Sequence, residues 1–533
     1  MLQIGDDIGC SEAMRKMACC VIWEKKKDFW FNRHYVILFF IDMKTKKSRL
    51  LPHKARFFTQ KEAVATNRKR ERYLRLLSDK ICFSFMDNKA HAGALSPGCF
   101  MCAKGTWSCV FIHDKCTTDC FFCPGDRKSI GWNSGRTEGI IFSNPDDYAD
   151  YVNKFGFKGA GFSGGEPLLV FDKLTRYIKT LRKKNGDGLY IWMYSNGDLI
   201  DISKLKKLKE SGLNEIRFNI AARGYDLKPV RMASGIIDKV TVEIPAIPED
   251  YEIVKRLLPK LYEIGVNFLN IHQLDTYPHN YKNYVKRKYR LLDIPYSPVF
   301  ASELAALKIL KYAVDKKIKL PVNYCSSAYK NNIQLNSKRQ RFALWLKDRF
   351  YDITEAGYIR SFYIEGREGD LKKVTGAFKR NAYLDGLWAL KRDEGKIYIS
   401  QHLLKQIPDS ACNFNLNVSY YKPVIRWRPV KNILTRTVSL NSRKTIAVEG
   451  LRVFDFIKMS PLARKTFVKM FIEKKGVDKS IGYFYRNYNL LARKNIKEMR
   501  KEIRALFGLR QLEWAGCGFP KIKQHGLPFS FYE

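Results

Sequence analysis

The chain has 533 residues, 45% of them hydrophobic, and 96 Lys and Arg against 53 Asp and Glu, a net charge of +43. That length carries a large domain with one or two satellites, and the longest apolar run, residues 35–41, is far too short to span a bilayer. The amino terminus lacks the basic and apolar regions of a secretory signal, and the 13 cysteines show metal-ligand spacing rather than a disulfide framework, which predicts a reducing cytoplasm.

In chain order, residues 1–95 read as a small module. A β-hairpin over 29–51 with a polar turn precedes a basic helical stretch through residue 88. Residues 96–330 alternate short apolar runs with helical patterns. Strands are expected at 108–114, 159–164, 189–195, 215–219, 239–245 and 266–273, with helices at 145–155, 171–184, 202–211 and 251–264. Asn144 and Asp201 suit N-caps, and Gly212 and Gly265 suit C-caps. Six such βα repeats predict a parallel sheet curled into a partial TIM-type (β/α)6 barrel. Residues 320–325 offer a seventh strand, and 278–298 form a basic, tyrosine-rich insertion expected to be a surface loop, with a lid folded over the barrel mouth as the alternative. A β-rich accessory region follows over 331–450. The last region, 451–533, has helices at 463–475 and 490–508 and a short strand at 510–514, hinting at a winged-helix-like module.

Chemistry concentrates at the strand ends. Cys116, Cys120 and Cys123 form a CxxxCxxC loop directly after the first strand. Three thiolates on one loop leave one iron of a [4Fe–4S] cube without a protein ligand, the arrangement that catalytic metal sites use. Zinc competes for such a triplet, since paired cysteines at short spacing also suit tetrahedral Zn²⁺. The second strand then ends in Ser163-Gly164-Gly165-Glu166-Pro167, the third in Ser195-Asn196-Gly197, and the fourth near Asn219. Polar groups at the carboxyl ends of barrel strands face one mouth.

CxxxCxxC followed by GGEP, in this order and at these strand ends, resembles the radical S-adenosylmethionine (SAM) superfamily. The resemblance implies a [4Fe–4S] cluster on Cys116, Cys120 and Cys123, with SAM on the open iron and Phe122 near its adenine. It further implies that Gly164, Gly165 and Glu166 hold the methionyl amine, and that Ser195, Asn196 and Asn219 contact ribose or carboxylate. The expected reaction is reductive cleavage of SAM and hydrogen abstraction from a substrate. A low-potential, flavodoxin- or ferredoxin-like electron donor and a low-oxygen setting go with it. The run through Cys99 and Cys102 before the core, and residues 324–330 after it, resemble an archaeal-type subfamily related to pyruvate formate-lyase activating enzymes.

Cys99, Cys102, Cys109 and Cys325 are candidates for an auxiliary iron–sulfur cluster or metal, against the alternative of buried small hydrophobes. His272 is a weaker candidate acid–base group. Basic runs interleaved with rings at 68–75, 281–290, 338–351 and 426–431 suit an RNA or an acidic protein or peptide substrate. A small-molecule substrate, and a zinc-stabilised nucleic-acid-binding protein without catalysis, are the competing readings.

Overall fold

The computed structural model describes residues 56–125, 134–277, 279–291, 298–407, 414–430, 434–456, 459–473, 506 and 508–515. The hairpin expected at 29–51 and the helix expected at 490–508 lie outside these residues, apart from the last positions of the latter.

The first described helix is α1 (Gln60–Leu77). Thr59 caps it in a capping box with Glu62. Two short strands, β1 (Cys82–Phe83) and β2 (Lys89–Ala92), and helix α2 (Pro97–Ala103) lead into β3 (Trp107–His113). A hairpin follows, β4 (Gly135–Thr137) and β5 (Ile140–Phe142), then helix α3 (Pro145–Lys154). The repeat continues with β6 (Gly159–Gly164), α4 (Phe171–Asn185), β7 (Tyr190–Ser195), α5 (Ile202–Glu210) and β8 (Glu215–Phe218). After α6 (Lys228–Ala233) come β9 (Lys239–Pro245), α7 (Tyr251–Glu263), β10 (Phe268–His272), α8 (Tyr281–Lys286), α9 (Phe300–Asp315) and β11 (Val322–Cys325).

These strands form one 11-stranded sheet in the order β1-β2-β11-β10-β9-β8-β7-β6-β3-β4-β5. The run from β11 through β3 is parallel throughout. The partial barrel therefore has seven parallel strands, one more than the (β/α)6 count, because 322–325 pairs with β10 in full register. Antiparallel hairpins close its two margins, β1–β2 on β11 and β4–β5 on β3. The boundary expected at residue 95 is not one the sheet respects. Residues 82–92 belong to it, and α1 is tied to α9 by the buried Arg70–Glu303 ion pair.

Strand period decides what fills the interior. Alternate residues of β7, β8, β9, β10 and β11 point inward, and Gly159 and Gly161 on β6 leave room there. A Cβ on Gly161 would lie 2.9 Å from the Trp192 ring, and one on Gly159 2.7 Å from Met101 Sδ of α2. Helix α2 thus packs into the barrel.

A second, 7-stranded antiparallel sheet contains β12 (Tyr351–Ile353), β13 (Ile359–Gly366), β14 (Trp388–Lys391), β15 (Lys396–Ile399), β16 (Phe414–Arg426), β17 (Thr435–Ser439) and β18 (Thr445–Phe456). Helix α10 (Pro461–Phe467) and the side chains of Leu506, Leu509, Leu512 and Trp514 pack on this sheet in one apolar core. The division at residue 450 therefore cuts through β18. Residues 510–514, expected as a strand, are helical through 513. Their Glu513 carboxylate accepts twice from buried Arg360 Nη1, at 2.8 Å and 2.7 Å. Local β-pattern here yields to a tertiary ion pair. No helix among the described residues is long and apolar enough to cross a membrane.

Candidate active site

The cysteine loop, residues 114–125, leaves β3 at the carboxyl end of the barrel and is held on two flanks. On the first, β6 ends in Gly164 and Gly165, whose missing side chains let the loop backbone close in. A Cβ on Gly164 would sit 2.1 Å from His113 O, and one on Gly165 1.6 Å from Lys115 O. Gly164 also has a φ of +132°, a region that favours glycine. The close approach is sealed by Gly165 N donating to His113 O at 2.8 Å and Glu166 N to Lys115 O at 2.7 Å. The His113 ring spans the same gap. Its Nδ1 accepts from Lys115 N at 3.1 Å, which fixes Nε2 as the donor to Glu166 O at 3.0 Å.

Glu166 is 1% exposed. Its carboxylate accepts from Leu168 N at 3.2 Å, Ser195 Oγ at 3.0 Å and Asn196 N at 2.8 Å. Burial raises its pKa, and the Asn196, Leu168 and Ser195 donors oppose that rise. A carboxylate has about four acceptor directions, so two are spent joining the β6 and β7 ends and a third on capping the turn that Glu166 itself begins. Asn196 extends the join. Its Nδ2 donates to Thr117 Oγ1 at 2.9 Å and Thr118 Oγ1 at 3.3 Å, with Cys116 Sγ at 3.7 Å. Ser195 O accepts from Asn219 N at 2.9 Å, and Asn219 Oδ1 is buried without a hydrogen-bond partner.

On the second flank, the connection between β10 and α9 grips the far half of the loop. It is not the free surface loop expected from its composition, because Phe121 and Phe122 pack against Leu274, Tyr284, Tyr289, Leu291 and Val299. His279 Nε2 and Asn280 Nδ2 donate to Cys123 O at 3.0 and 3.4 Å, and Asn283 Nδ2 to Phe121 O at 3.2 Å. The Arg287 guanidinium lies 3.6 Å from the Phe121 ring centroid, in cation–π contact.

Cys116 is exposed, and Cys120 and Cys123 are half-buried. The Thr118 hydroxyl lies 3.5 Å from both Cys116 and Cys120 Sγ. Among the described residues, no three His, Cys, Asp or Glu side chains are gathered closely enough to hold a metal ion, and this includes Cys116, Cys120 and Cys123. Cys99, Cys102, Cys109 and Cys325 sit in and around the barrel interior. Cys99, on α2, lies 3.6 Å from Asn270 Oδ1 and 3.8 Å from Asn323 Nδ2. Cys102 and Cys325 share an apolar cluster with Tyr329. Burial, reinforced by Cys325, pushes the Cys102 thiol up to about 12. Burial opposes ionisation of Cys325 as well, yet Lys89 and then His272 bring it down to about 6. Cys109, on β3, is pushed up to about 12 by burial.

Sequence reading missed the network that fills the interior. Arg217 bonds Glu215 at 3.0 Å and Glu243 at 2.9 Å, and reaches Ser96 Oγ at 3.0 Å. Glu243 accepts from Asn270 at 2.9 Å and pairs with His272 at 2.7 Å. Burial would raise Glu243, but Arg217 and His272 hold it well below the usual carboxylate range. Burial would lower His272, but Cys325 and Glu243 lift it to about 9. The signal was available in charged and polar residues at period two on consecutive apolar strands: Glu215 and Arg217, Glu243, Asn270 and His272.

A sequence profile described as the radical SAM superfamily matches residues 110–235, which span the cysteine loop and the β6, β7 and β8 ends. A Methanocaldococcus jannaschii protein named as a putative glycyl-radical enzyme activating enzyme is 30% identical over 305 residues, covering 54% of this chain and 78% of that protein. The chain belongs to the radical SAM superfamily. A second relative, a Methanococcus aeolicus protein named as a probable GTP 3′,8-cyclase, is 28% identical over 165 residues, 31% of this chain and 48% of that one. Among solved structures, the radical SAM enzyme coproporphyrinogen III oxidase of Escherichia coli aligns over 40% of this chain and 54% of its own, with 15% identity and a TM-score of 0.26.

Membership of the radical SAM superfamily makes the protein an enzyme and implies a [4Fe–4S] cluster, SAM and an electron donor. The donor set fits the first two. Three thiols lie on one loop at the barrel mouth, and the buried, unpartnered Asn219 Oδ1 and the remaining acceptor direction of Glu166 stand at the neighbouring strand ends.

Proposed function

We propose that this radical SAM enzyme abstracts hydrogen from a protein substrate, with Cys116, Cys120 and Cys123 as the cluster ligands. Glu166 and Asn219 then receive the polar end of SAM, with Ser195 and Asn196 as positioning residues and Phe122 as the apolar wall. Gly164 and Gly165 serve by letting the loop approach. When bound, the cluster and SAM supply a one-electron cleavage that generates a hydrogen-abstracting radical. The chain's own part is to fix the cysteine loop between the Asn196 and Asn283 flanks and to exclude water around Phe121 and Phe122.

The observation that carries the substrate class is the packed interior. Glu215, Arg217, Asn270, Asn323, Trp192 and Cys99 are all buried beneath the mouth. A small molecule has little room there, whereas a segment presented from outside meets the mouth directly. The name of the M. jannaschii relative, an enzyme that activates another enzyme, agrees with a protein target. RNA is less favoured, because rings that made it attractive are spent on packing. Phe342 is buried, Trp345 packs on Phe155, and Trp427 donates to Ile141 O at 2.8 Å while its ring meets Phe142. We assign substrate presentation to the flanking regions, an auxiliary metal or cluster to Cys99, Cys102 and Cys325, and a reducing, low-oxygen cytoplasm to the whole.

Anaerobically reconstituted protein is expected to absorb broadly in the visible and to convert SAM to 5′-deoxyadenosine with a chemical reductant. Substituting Ala at Cys116, Cys120 or Cys123 abolishes both. Native lysate raises the yield through a component destroyed by protease and indifferent to RNase. The opposite sensitivity overturns the protein reading, and a colourless, zinc-loaded protein that leaves SAM intact overturns the chemistry.

A further inference from the structure

The two flanks of the cysteine loop differ in charge. The strand-end flank presents the neutral groups of Thr117, Ser195 and Asn196 and the buried Glu166. The other flank, residues 279–291, turns a basic surface outward. Lys282, Lys286 and Lys288 are exposed, and none of their ammonium groups makes an ion pair or hydrogen bond among the described residues. Lys282 and Lys286 stand four apart on α8 and so share a face. Arg287 and Arg290 add two more exposed cations, which pair with Glu249 at 3.9 Å and Glu62 at 2.6 Å. The tyrosines of this segment face inward. Tyr284 and Tyr289 are both buried. The surface thus offers those cations without those two rings for bases to stack on.

We propose that Lys282, Lys286 and Lys288 form the docking surface for an acidic one-electron carrier protein, and that the segment places this partner against the Phe121–Cys123 side of the cysteine loop. The inference rests on the reading of that loop as the cluster loop. In the step it serves, the reduced carrier loses one electron and the cluster gains one, with no proton or group transferred. Two observations bear on the choice of partner. The lysines answer a carboxylate-rich surface by charge, and the segment beneath them is bolted to the loop through Asn283, His279 and Arg287, a short protein path from that surface to Cys123. Glu166 and Asn219, which receive the polar end of SAM in that reading, stand on the opposite flank.

The test uses the full chain, a plant-type [2Fe–2S] ferredoxin as the acidic probe, and the triple variant K282E/K286E/K288E beside a control of the same charge type, K206E/K207E on exposed positions of α5. Ferredoxin affinity, measured on iron-free protein, is expected to fall about 10- to 100-fold in the triple variant at low ionic strength. Raising the salt narrows the gap, and the control binds as wild type. In reconstituted protein, ferredoxin-driven SAM cleavage falls by about tenfold or more, while iron content and dithionite-driven cleavage hold. Wild-type affinity in the triple variant overturns the docking surface, as does selective loss of single-stranded RNA binding with ferredoxin binding intact. Absence of dithionite-driven cleavage from wild type would instead refute the cluster reading, and the iron-free binding measurement still decides the docking.

Discussion

Replacing Gly165 by Ala is the sharpest probe of how the cysteine loop is held. The new Cβ would lie 1.6 Å from Lys115 O, where real contacts are not shorter than 3.0 Å. Strand β6 and the loop must therefore part by more than an ångström. That gap breaks Gly165 N to His113 O and Glu166 N to Lys115 O, now at 2.8 and 2.7 Å. Each backbone hydrogen bond contributes about 1 kcal/mol net, so the direct cost is about 1–3 kcal/mol. The larger effect is on registration, because Cys116 directly follows the displaced Lys115. We expect iron per chain after anaerobic reconstitution to fall several-fold, with far-ultraviolet circular dichroism near wild type and a modestly lower Tm. Gly188→Ala, with nothing within 4 Å of the added atom, is the neutral control. Full iron loading of Gly165→Ala at wild-type Tm would show that the close approach does not position the thiols.

Changing Cys99 and Cys102 together to Ala should lower iron per chain while sparing SAM cleavage, and unchanged iron assigns both to packing. Because Glu243 is held below its ordinary 4.5, its stabilisation is complete above that pH and is lost as the pH falls further. Glu243→Gln should therefore be less stable at neutral pH and show a shallower acid limb in urea midpoints measured from about pH 3 to 6. Glu513→Ala leaves Arg360 buried without its bidentate partner, and should cost about 3–5 kcal/mol in equilibrium unfolding.

Sequence alone reached the barrel because each strand and helix announced itself locally. Asn144 and Asp201 cap α3 and α5 as their side chains suggest, and Gly212 and Gly265 take φ of +99° and +85° after their helices. The loop triplet and the strand-end polar residues were legible for the same reason. What escaped depends on partners distant in the chain. Asn196 reads as a ligand contact until Thr117 and Thr118 are found beneath its amide. The insertion after β10 reads as a loop until Phe121 is found under Arg287. Trp427, between two arginines, reads as a stacking platform until Ile141 O is found to hold its indole.

The hairpins at the two ends of the 11-stranded sheet have a colloidal consequence. An unclosed barrel exposes raw backbone along two rims, and such rims recruit strands from other molecules. Here the outermost strands are two and three residues long, Cys82–Phe83 and Ile140–Phe142, and the carbonyl of Ile141 is already engaged by Trp427. Neither rim is long enough to template a foreign strand, so crowded copies of this protein have no ready route to fibrous stacking through the barrel.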